Sequence, residues 1–356
     1  MYNLSNAFAK GRTNTAGYLK LAVFFLFCLF VNSSCNAAPS DSYNNQFLFV
    51  DNGKLCSFCV NPQVYTPLEI QGSFMQKGVS LSKKKGWFLA WNKNTQQLYH
   101  IDENCKVNSK TALAGGLVYV DKSFILAQTN SFDNAKGFGF TLYSIKYSRG
   151  GKKLKLKKVW NGFIDCFVSD CFFTADGVCV CGGTKDDSRH NVYYITSSGI
   201  HKCFSTAKNS DFLRILNADN KVYAFISGRD KTSAHPDIYS FTLDGYIEGT
   251  DPVSYVNLND NSDFPPDFNC FFGYGFVKDS ALVIPASIGE DISFICYDFK
   301  TEKMRNIVPE AGGCMAFLGN SLQGALYIAR DPLTEGSFYG ISCFTGTEGK
   351  KIKEIY

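Results

Sequence analysis

The sequence predicts an all-β protein made of one repeated unit. Aromatic residues make up 15% of the chain, beside 31 glycines and four methionines, and this composition favours strands and turns over helices. The stretch 221–245 illustrates the unit: two apolar strands, Val222–Ser227 and Ile238–Leu243, flank a polar loop, and Asp244-Gly245 supplies a turn. Because similar stretches recur along the chain, we expect a repeating architecture.

The first 38 residues have a different layout. Three basic residues, Lys10, Arg12 and Lys20, precede the apolar run Leu21–Val31, and the small or polar residues NSSCNAAPS follow. This order is typical of a secretory signal peptide. The eleven apolar residues would rise about 16 Å as a helix, which is too short for a hydrocarbon core of about 30 Å. A retained membrane span is therefore the less favoured interpretation.

Two ways of processing this segment remain open. The stretch Val31–Cys35 (VNSSC) resembles a relaxed bacterial lipobox, although Asn32 stands where that family prefers an aliphatic residue. The resemblance implies that Cys35 carries a lipid and anchors the chain at a bacterial cell envelope, facing the periplasm or the cell surface. Cleavage after Ala37 or Ala38 would instead release the exported chain. We prefer the lipid-anchored interpretation.

The charge of the chain narrows the class of partner. The formal charge of +4 includes the three basic residues of the leader, and no Asp or Glu precedes Asp41, so the processed chain carries about +1. So small a charge argues against nucleic acid. We expect a protein or a glycan at the envelope as partner, with a lipid anchor to the membrane if Cys35 is modified; the oligomeric state stays open.

From residue 45 onward the sequence predicts strands. Residues 45–60 (NQFLFVDNGKLCSFCV) predict a hairpin in which Asn52-Gly53 supplies the positive φ angles of a tight turn. A connector, 61–71, follows, and the repeats begin after it.

The repeats share landmarks on two of their strands. Second-strand landmarks are GWFLAW (86–91), SFILAQ (123–128), GVCVCG (177–182), KVYAFI (221–226), ALVIPA (281–286) and GALYIA (324–329). Each is followed by a polar loop and a third strand, whose matching positions are Tyr99, Tyr143, Tyr194, Tyr239, Cys296 and Ser342. These positions are 44, 51, 45, 57 and 46 residues apart. Six units of four short strands are therefore predicted.

This pattern resembles the β-propeller architecture, over about residues 45–356. The resemblance implies a single domain of six or seven four-stranded blades, with repeats at roughly 72–110, 111–160, 161–208, 209–257, 258–308 and 309–356. The hairpin 45–60 either closes the ring or belongs to a seventh blade. Inner strands are expected to be continuously apolar, and the lysine-rich segments KKLKLKK (152–158) and KKIKEIY (350–356) to be outermost strands. The WD signature and regular sialidase-type Asp boxes are absent from the sequence, so the resemblance is to an architecture and not to one family.

The resemblance also implies which loops share a surface. Loops between second and third strands gather on one rim of a propeller, with the connections between blades. The candidate ligand-binding residues on this rim are Lys185, Asp186, Asp187, Arg189, His190, Arg229, Asp230, His235, Glu290, Asp291, Arg330 and Asp331. Charges of both signs suit a protein or a polar ligand, although loops are also polar simply because they face water. The function expected is a binding or scaffold module.

The alternative function is a propeller glycoside hydrolase or a related carbohydrate-active enzyme. It would use loop carboxylates such as Asp187, Asp230, Glu290 and Asp331, which only the fold can bring together. The sequence contains no G-x-S-x-G, H-E-x-x-H or Walker A motif. We therefore name no catalytic residue.

No cofactor and no metal site is predicted. His190 and His235 are 45 residues apart at equivalent positions, but no third ligand matches them, and solvated loop histidines are the simpler interpretation. The acidic loop 259–267 (NDNSDFPPD) lacks the glycine and glutamate of an EF-hand. The basic segment Arg149–Lys158 is an exposed edge strand in the favoured interpretation and a contact for anionic headgroups in the other.

The cysteines allow two interpretations. Twelve would remain after lipidation of Cys35: Cys56, Cys59, Cys105, Cys166, Cys171, Cys179, Cys181, Cys203, Cys270, Cys296, Cys314 and Cys343. Export permits disulfides among them, but they are scattered through apolar strands, so many are expected to be small buried hydrophobic residues. The CxxC pair Cys56/Cys59 lies in a hairpin strand, which argues against redox chemistry.

Overall fold

We describe the protein from a computed structural model. It describes residues 45–354 apart from the segments 185–188, 207–210, 219–220, 228–235, 246, 249–254, 258–267, 271–275, 279–280, 289–290, 299, 302, 308–312, 322–323, 331–338 and 346–348. Within these residues the chain forms 29 strands and one 3-10 turn, Gln76–Gly78. The all-β prediction is confirmed. None of the described residues belongs to a helix with the length and hydropathy needed to cross a bilayer.

The strands pair into seven sheets, numbered here in chain order. Sheet 1 has three strands: β1 (Gln46–Asp51), β2 (Lys54–Cys59) and β3 (Val64–Pro67). Sheet 2 contains β4 (Val79–Leu81), β5 (Phe88–Asn92), β6 (Gln97–Ile101) and β7 (Val107–Ala112). Sheet 3 contains β8 (Val118–Val120), β9 (Phe124–Asp133), β10 (Gly137–Tyr147) and β11 (Leu154–Ile164). Sheet 4 contains β12 (Cys166–Phe173), β13 (Gly177–Thr184), β14 (His190–Thr196) and β15 (Gly199–Ser205).

Three further sheets complete the described chain. Sheet 5 contains β16 (Asp211–Ala218), β17 (Lys221–Ser227), β18 (Pro236–Phe241) and β20 (Tyr255–Asn257), while β19 (Ile247–Glu248) pairs in parallel with the last strand of sheet 4. Sheet 6 contains β21 (Phe268–Cys270), β22 (Phe276–Lys278), β23 (Ala281–Ile288), β24 (Asp291–Asp298) and β25 (Met304–Ile307). Sheet 7 contains β26 (Gly313–Ser321), β27 (Gly324–Arg330), β28 (Tyr339–Phe344) and β29 (Gly349–Glu354).

The sheets form a closed ring. Each sheet contacts the next one in chain order, and sheet 1 contacts both sheet 7 and sheet 2. On one face of sheet 1, Phe47 and Phe49 pack with Leu326 and Ile328 of β27. On the other face, Leu48 and its neighbours pack with β5 and β6. Apolar burial of this kind, sheet against sheet, provides the main favourable term in the folding of such a ring.

The direction of β1 identifies which strands sheet 1 provides. Its first residues lie at the end of the ring where β26 finishes, because the Cβ position of Gly319 is 2.7 Å from the Phe47 ring. Its last residue precedes the tight turn at Asn52-Gly53, where φ is +49° and +76°, as predicted. The strand therefore runs like the second strand of the other sheets, and among the described residues sheet 1 has no counterpart of their first strand.

The predicted landmarks occupy equivalent positions. The six third-strand residues lie on β6, β10, β14, β18, β24 and β28, and each pairs with a second-strand residue of its own sheet. All of β5 and the first six residues of β13 are buried, whereas β9 is buried only at 125–127. The lysine-rich strands β11 and β29 lie at sheet edges, as predicted.

Turns divide the ring into two faces, named here the upper rim and the lower face. The upper rim carries the turns between second and third strands and the connections between sheets. Hydrogen bonds between Thr206, in the connection after sheet 4, and His190, at the start of β14, join these two kinds of segment. The lower face carries the turns between first and second strands and between third and fourth strands.

A belt of hydrogen bonds joins the innermost strands, and we name it the axial belt. Gln76 Oε1 accepts the Val50 N–H at 2.8 Å, which links sheets 2 and 1. Lys77 Nζ lies 3.4 Å from the Tyr119 hydroxyl of sheet 3 and 3.1 Å from the Ser169 carbonyl oxygen of sheet 4. The Tyr119 hydroxyl itself donates to the Val168 carbonyl oxygen.

The belt continues to sheet 5 through a buried carboxyl group. Asp170 accepts the Cys171 N–H at 3.0 Å with Oδ1 and the Ile215 N–H at 3.3 Å with Oδ2. Burial also raises the pKa of Tyr119 well above its usual range, so its hydroxyl keeps its proton and remains a donor. The belt therefore holds the inner strands of sheets 1 to 5 in register.

The cysteines behave as hydrophobic residues in the described part of the chain. The ten cysteines whose side chains are described are free thiols, and eight of them are buried; the side chains of Cys270 and Cys314 lie outside the description. Burial raises the pKa of the Cys296 and Cys343 thiols to about 11, so they stay protonated at neutral pH. Cys56 and Cys59 lie on the hairpin strand β2, as predicted.

Candidate functional site

The upper rim has its most distinctive feature on sheet 3, where three strands are unusually long. β9, β10 and β11 have 10, 11 and 11 residues, whereas second and third strands of the other sheets have at most eight described residues. The inner strand β8 pairs only with residues 125–127 of β9. Residues 129–139 therefore extend beyond the first strand of their own sheet. Three residues of β10, 137–139, lie past the pairing of Phe140 with Gln128, which at about 3.3 Å per residue makes the extension about 10 Å. We name this hairpin the aromatic arm.

Two glycines let the strands of the arm pack closely. Gly137 opens β10 with a φ of +91°, and a Cβ there would lie 2.2 Å from the Ile164 carbonyl oxygen of β11. A Cβ on Gly139 would lie 2.4 Å from Thr129 Oγ1. A larger side chain at Gly137 requires a shift of the backbone, and one at Gly139 requires Thr129 and Ser131 to move. The glycines in the motif F-D-N-A-K-G-F-G-F thus determine the shape of the arm.

The arm holds a cluster of phenylalanines at the surface. Phe132 of β9 is 49% exposed, and Phe167 of β12 is 56% exposed. Phe138 lies between them, with ring centroids 5.0 Å from Phe132 and 4.6 Å from Phe167. Exposed large apolar side chains are unremarkable when scattered singly, but a contiguous group marks a contact surface. These three residues are named the phenylalanine cluster.

A polar network supports the rim beside the cluster. The Tyr193 hydroxyl donates to Asp165 Oδ1 at 2.6 Å, and Asn191 Nδ2 reaches the same oxygen at 3.3 Å. Ser205 Oγ donates to Asn191 Oδ1 at 2.8 Å. Burial, with the adjacent Asp165, raises the pKa of Tyr193, which keeps the hydroxyl protonated as a donor. Asp165, in the connection two residues before Phe167, is thereby fixed to β14, and Asn191 of β14 to β15.

Few of the predicted rim residues fall in the described part of the chain. Arg189 closes its loop through its carbonyl oxygen, which accepts the Thr184 N–H and hydroxyl. The His190 ring lies over Gly183, where a Cβ would be 3.1 Å from Nε2. Asp291 and Arg330 lie at the start of β24 and the end of β27, and their side chains are outside the description. The remaining residues, Lys185, Asp186, Asp187, Arg229, Asp230, His235, Glu290 and Asp331, lie outside the described residues, as does Cys35.

The described residues give no support to a metal site or to a hydrolase on the upper rim. Among the described residues no group of three His, Cys, Asp or Glu side chains is placed to hold a metal ion. His190 and His235 cannot be compared, because His235 lies outside the description. The four carboxylates of the alternative hydrolase lie outside it too.

The charged residues of the predicted loops do not indicate the phenylalanine cluster. The signal was present in the spacing, because the longer 51-residue interval between Tyr143 and Tyr194 includes the long β11 and the extended start of β12. Alternation of phenylalanine with glycine and amide side chains over 129–140 is the other signal. A hairpin strand of ordinary length would have buried these rings against its neighbours.

A further concave feature lies between the connector after sheet 1 and the last two strands of sheet 2. It is a cleft of about 570 Å³ lined by the connector residues Glu69, Ile70 and Gln71 and by Thr95, Tyr99, Cys105, Lys106, Val107 and Lys110. The Tyr99 hydroxyl is engaged with Asn92 and Thr95. The cleft has no convergent pair of carboxyl groups, so it gives no support to a hydrolase.

Comparisons with known proteins support the fold. No protein-family model matches the sequence, and no curated protein matches it in sequence. A puromycin hydrolase structure matches with a TM-score of 0.55 and 8% identity, over 89% of this chain and 53% of that one. The Pyrococcus horikoshii acylaminoacyl peptidase matches with a TM-score of 0.51 and 12% identity, over 88% and 54%. A post-proline cleaving enzyme from Rickettsia typhi matches with 0.52 and 12%, over 95% and 55%.

These structures contain β-propeller-type folds, so the propeller resemblance is confirmed at the level of the fold. The chain spans about half the length of the three proteins. Identities of 8–12% show a shared fold and carry no activity from one protein to the other.

Proposed function

We propose that the chain is an exported, lipid-anchored β-propeller of seven blades whose upper rim binds a protein partner. The observation that carries the proposal is the phenylalanine cluster, a contiguous aromatic surface on an arm that extends beyond its sheet. Sheet 1, which contacts both sheet 2 and sheet 7, takes the place of a seventh blade. The signal layout of residues 1–38 and the lipobox-like Cys35 support export and anchoring.

The geometry of the cluster favours a protein over a glycan. The Phe132 and Phe138 rings are inclined by 51°, and the Phe138 and Phe167 rings by 52°. Tilted rings make a notched surface that accepts apolar side chains, whereas a sugar ring stacks best on a flat platform. Buried aromatic anchors also provide most of the binding energy at protein interfaces. The flanking Thr, Asn and Ser residues of 129–134 suit the polar rim of such an interface.

The cluster is tested by removing its two most exposed rings. The double variant Phe132→Ser, Phe167→Ser is expected to lose at least about 100-fold in affinity, because a central aromatic anchor contributes about 2 kcal/mol or more. The partner is first identified by crosslinking in envelope extract from a photoreactive group placed at Asn134, and binding of the purified partner is then measured.

Ile200 provides the matched control. It is 40% exposed at the second position of β15, beside the turn from β14 on the lower face. The variant Ile200→Ser removes a comparable exposed apolar side chain and should leave affinity unchanged. Equal loss in the two variants, or no loss in the double variant, would refute the proposal.

The anchoring part is tested separately. Cells that express the chain are grown with a labelled fatty acid, and the label on the wild type is compared with that on Cys35→Ala. Label that depends on Cys35 is expected. Absence of label on the wild type, together with recovery of the chain in the medium, would replace anchoring by release.

A further inference from the structure

We propose that the lower face of sheets 2 and 3 is a second contact with the membrane, one that binds anionic lipid headgroups beside the N-terminal anchor. The inference rests on the export and anchoring part of the proposed function and is independent of the aromatic arm. Two observations carry it: a cluster of cationic side chains from four turns, and the position at which the chain enters the ring.

The cationic cluster is formed by the four lower turns of sheets 2 and 3, at 82–87, 102–106, 121–123 and 148–153. These turns contain eight cations against three carboxyl groups. The cations are Lys83, Lys84, Lys85, Lys106, Lys122, Arg149, Lys152 and Lys153, and all but the half-buried Lys84 are exposed. The whole processed chain carries only about +1, so this charge is concentrated locally.

Direct contacts show that the turns form one surface. The Tyr147 hydroxyl donates to the Lys122 carbonyl oxygen at 2.8 Å and accepts the Lys83 N–H at 3.3 Å. The Cβ position of Gly151 lies 3.3 Å from Lys84 Cδ. The turns at 82–87, 121–123 and 148–153 are therefore adjacent.

The three nearby carboxyl groups accept hydrogen bonds from other groups of the same turns. Glu103 Oε2 accepts the Trp87 indole N–H at 2.9 Å. Asp102 Oδ1 accepts the N–H groups of Asn104 and Lys106 within its own turn. Asp121 Oδ1 accepts the Ser123 N–H at 3.0 Å, and its burial raises its pKa. The charges of Lys122 and Lys83 act on Asp121 in the opposite direction, toward a lower pKa. Within the described chain no salt bridge engages Lys83, Lys85 or Lys153, and all three are exposed.

The chain enters the ring on this same face. Gln46, the first residue of β1, donates from Nε2 to Cys105 Sγ at 3.2 Å, and Cys105 belongs to the lower turn between β6 and β7. Nine residues separate Cys35 from Asn45, and an extended chain of that length reaches about 30 Å. A lipid on Cys35 and the cationic cluster can thus engage one bilayer at the same time.

A polybasic surface adds an electrostatic attraction to anionic lipid beside the attraction that a lipid anchor provides. Leu81, 38% exposed at the end of β4, adds an apolar side chain next to the lysines. With the lower face on the bilayer, the aromatic arm on the opposite rim is directed away from the membrane, toward a partner.

The test is a vesicle-binding measurement on the full chain. Cosedimentation is compared between vesicles of phosphatidylcholine and vesicles of phosphatidylcholine with phosphatidylglycerol, at low and at high salt. The apolar leader contributes to both vesicle types, so the ratio of the two affinities isolates the electrostatic contact. We expect a ratio well above one that falls with salt, because exposed charges are screened within about 10 Å at 0.1 M ionic strength.

Variants locate the contact. Each lysine near an anionic surface contributes about fivefold, so Lys83→Gln with Lys85→Gln should lower the ratio about 30-fold. The matched control, Lys93→Gln with Lys136→Gln, removes two exposed lysines from the upper rim and should leave it unchanged. A ratio of one for the wild type, or equal losses in the two double variants, would overturn the proposal.

Two further arms separate a membrane from other anions. Inorganic phosphate, and an RNA at the same phosphate concentration as the lipid, are added as competitors. Displacement by RNA at equal phosphate would identify a nucleic-acid surface and overturn the lipid assignment; little displacement by either supports it. Phe132→Ser with Phe167→Ser should bind vesicles normally, so failure of the arm and failure of the lower face give different results.

Discussion

The upper rim carries the exposed phenylalanine cluster where sheet 3 meets sheet 4, whereas the lower face of sheets 2 and 3 carries a cluster of exposed lysines. Both surfaces are built on the same strands. β9 and β10 carry the arm at their upper end, and the turns at 121–123 and 148–153 lie at their lower end. The repeated sheet thus determines position, and the turns at its two ends determine chemistry. An aromatic surface suits a protein partner, and a cationic surface suits an anionic bilayer.

Residues that stabilise the ring are different from residues that form the two contact surfaces. Between the two faces lies the axial belt, whose hydrogen bonds join neighbouring sheets. A change in the belt should therefore unfold the protein and remove both surfaces together, while a change at either face should remove one surface and leave the ring folded. The largest effect on stability is expected from a change in the belt.

Asp170→Ala is expected to destabilise the fold by about 3 kcal/mol. Removal of the carboxyl group breaks its hydrogen bonds with the Cys171 and Ile215 N–H groups, and loss of a buried hydrogen-bond partner costs about 1–3 kcal/mol. The measurement is denaturant unfolding, with partner binding and vesicle binding measured below the transition. Both activities should be lost together as the fold is lost.

Asp170→Asn is the matched variant, because the amide retains one oxygen acceptor. It should recover about half of the lost free energy of unfolding. Full stability in Asp170→Ala would show that the belt does not hold sheets 4 and 5 together. Selective loss of one activity in a folded protein would show that the two surfaces are not independent.

Gly137→Ala should cost at least about 2 kcal/mol, since the new Cβ meets the Ile164 carbonyl oxygen at 2.2 Å in addition to the positive φ of +91°. Gly150, on the lower face, is the control: its φ is +80°, but nothing lies within 4 Å of its Cβ position. Gly150→Ala should cost only about 1 kcal/mol, the penalty of the left-handed conformation. Thermal unfolding compares the two, and equal costs would mean that the arm relaxes freely.

In Gly137→Ala the partner affinity should also fall while vesicle binding is kept, because only the arm is distorted. Gly150→Ala should keep both activities. The reverse pattern would place the partner contact on the lower face and contradict the comparison of the two surfaces.

The sequence predicts the repeated sheets of the ring but little of the candidate site. Apolar second strands and the matching third-strand positions repeat because each sheet buries both faces against neighbours, so the pattern is visible in one dimension. The phenylalanine cluster depends on Phe132 and Phe167, which are 35 residues apart and on different sheets. No local pattern specifies that contact, and the lysine cluster likewise joins turns from two sheets.

The place of the N-terminal hairpin could not be decided from the sequence either. The residues 45–60 predict two strands with a tight turn, and they form them. Whether those strands close the ring depends on contacts with residues near 319–343, at the other end of the chain. Loop closure over such a distance leaves no local signature.

The smallest effect is expected from His100, which ties the two sheets of the lower face together. Its ring is fully buried, with Nε2 2.8 Å from Ser82 Oγ and Nδ1 3.4 Å from the Lys152 carbonyl oxygen. Burial lowers the pKa of His100 below its ordinary value of 6.5, and the nearby Lys84 charge acts in the same direction. The unfolded chain therefore binds a proton that the folded chain does not.

The sign of the pH effect follows from that difference. This contribution to stability is complete above pH 6.5 and is lost as the pH falls through the folded pKa, with a slope of at most about 1.4 kcal/mol per pH unit. Urea unfolding between pH 7.5 and pH 5 measures it, and His100→Phe should remove the slope that His100 provides while Lys84→Gln reduces it. His201, which is exposed, is the control: His201→Phe should keep the slope of the wild type. A slope unchanged in His100→Phe would assign the pH dependence to the carboxyl groups of other turns, and the lower face would then be no more sensitive to acid than the upper rim.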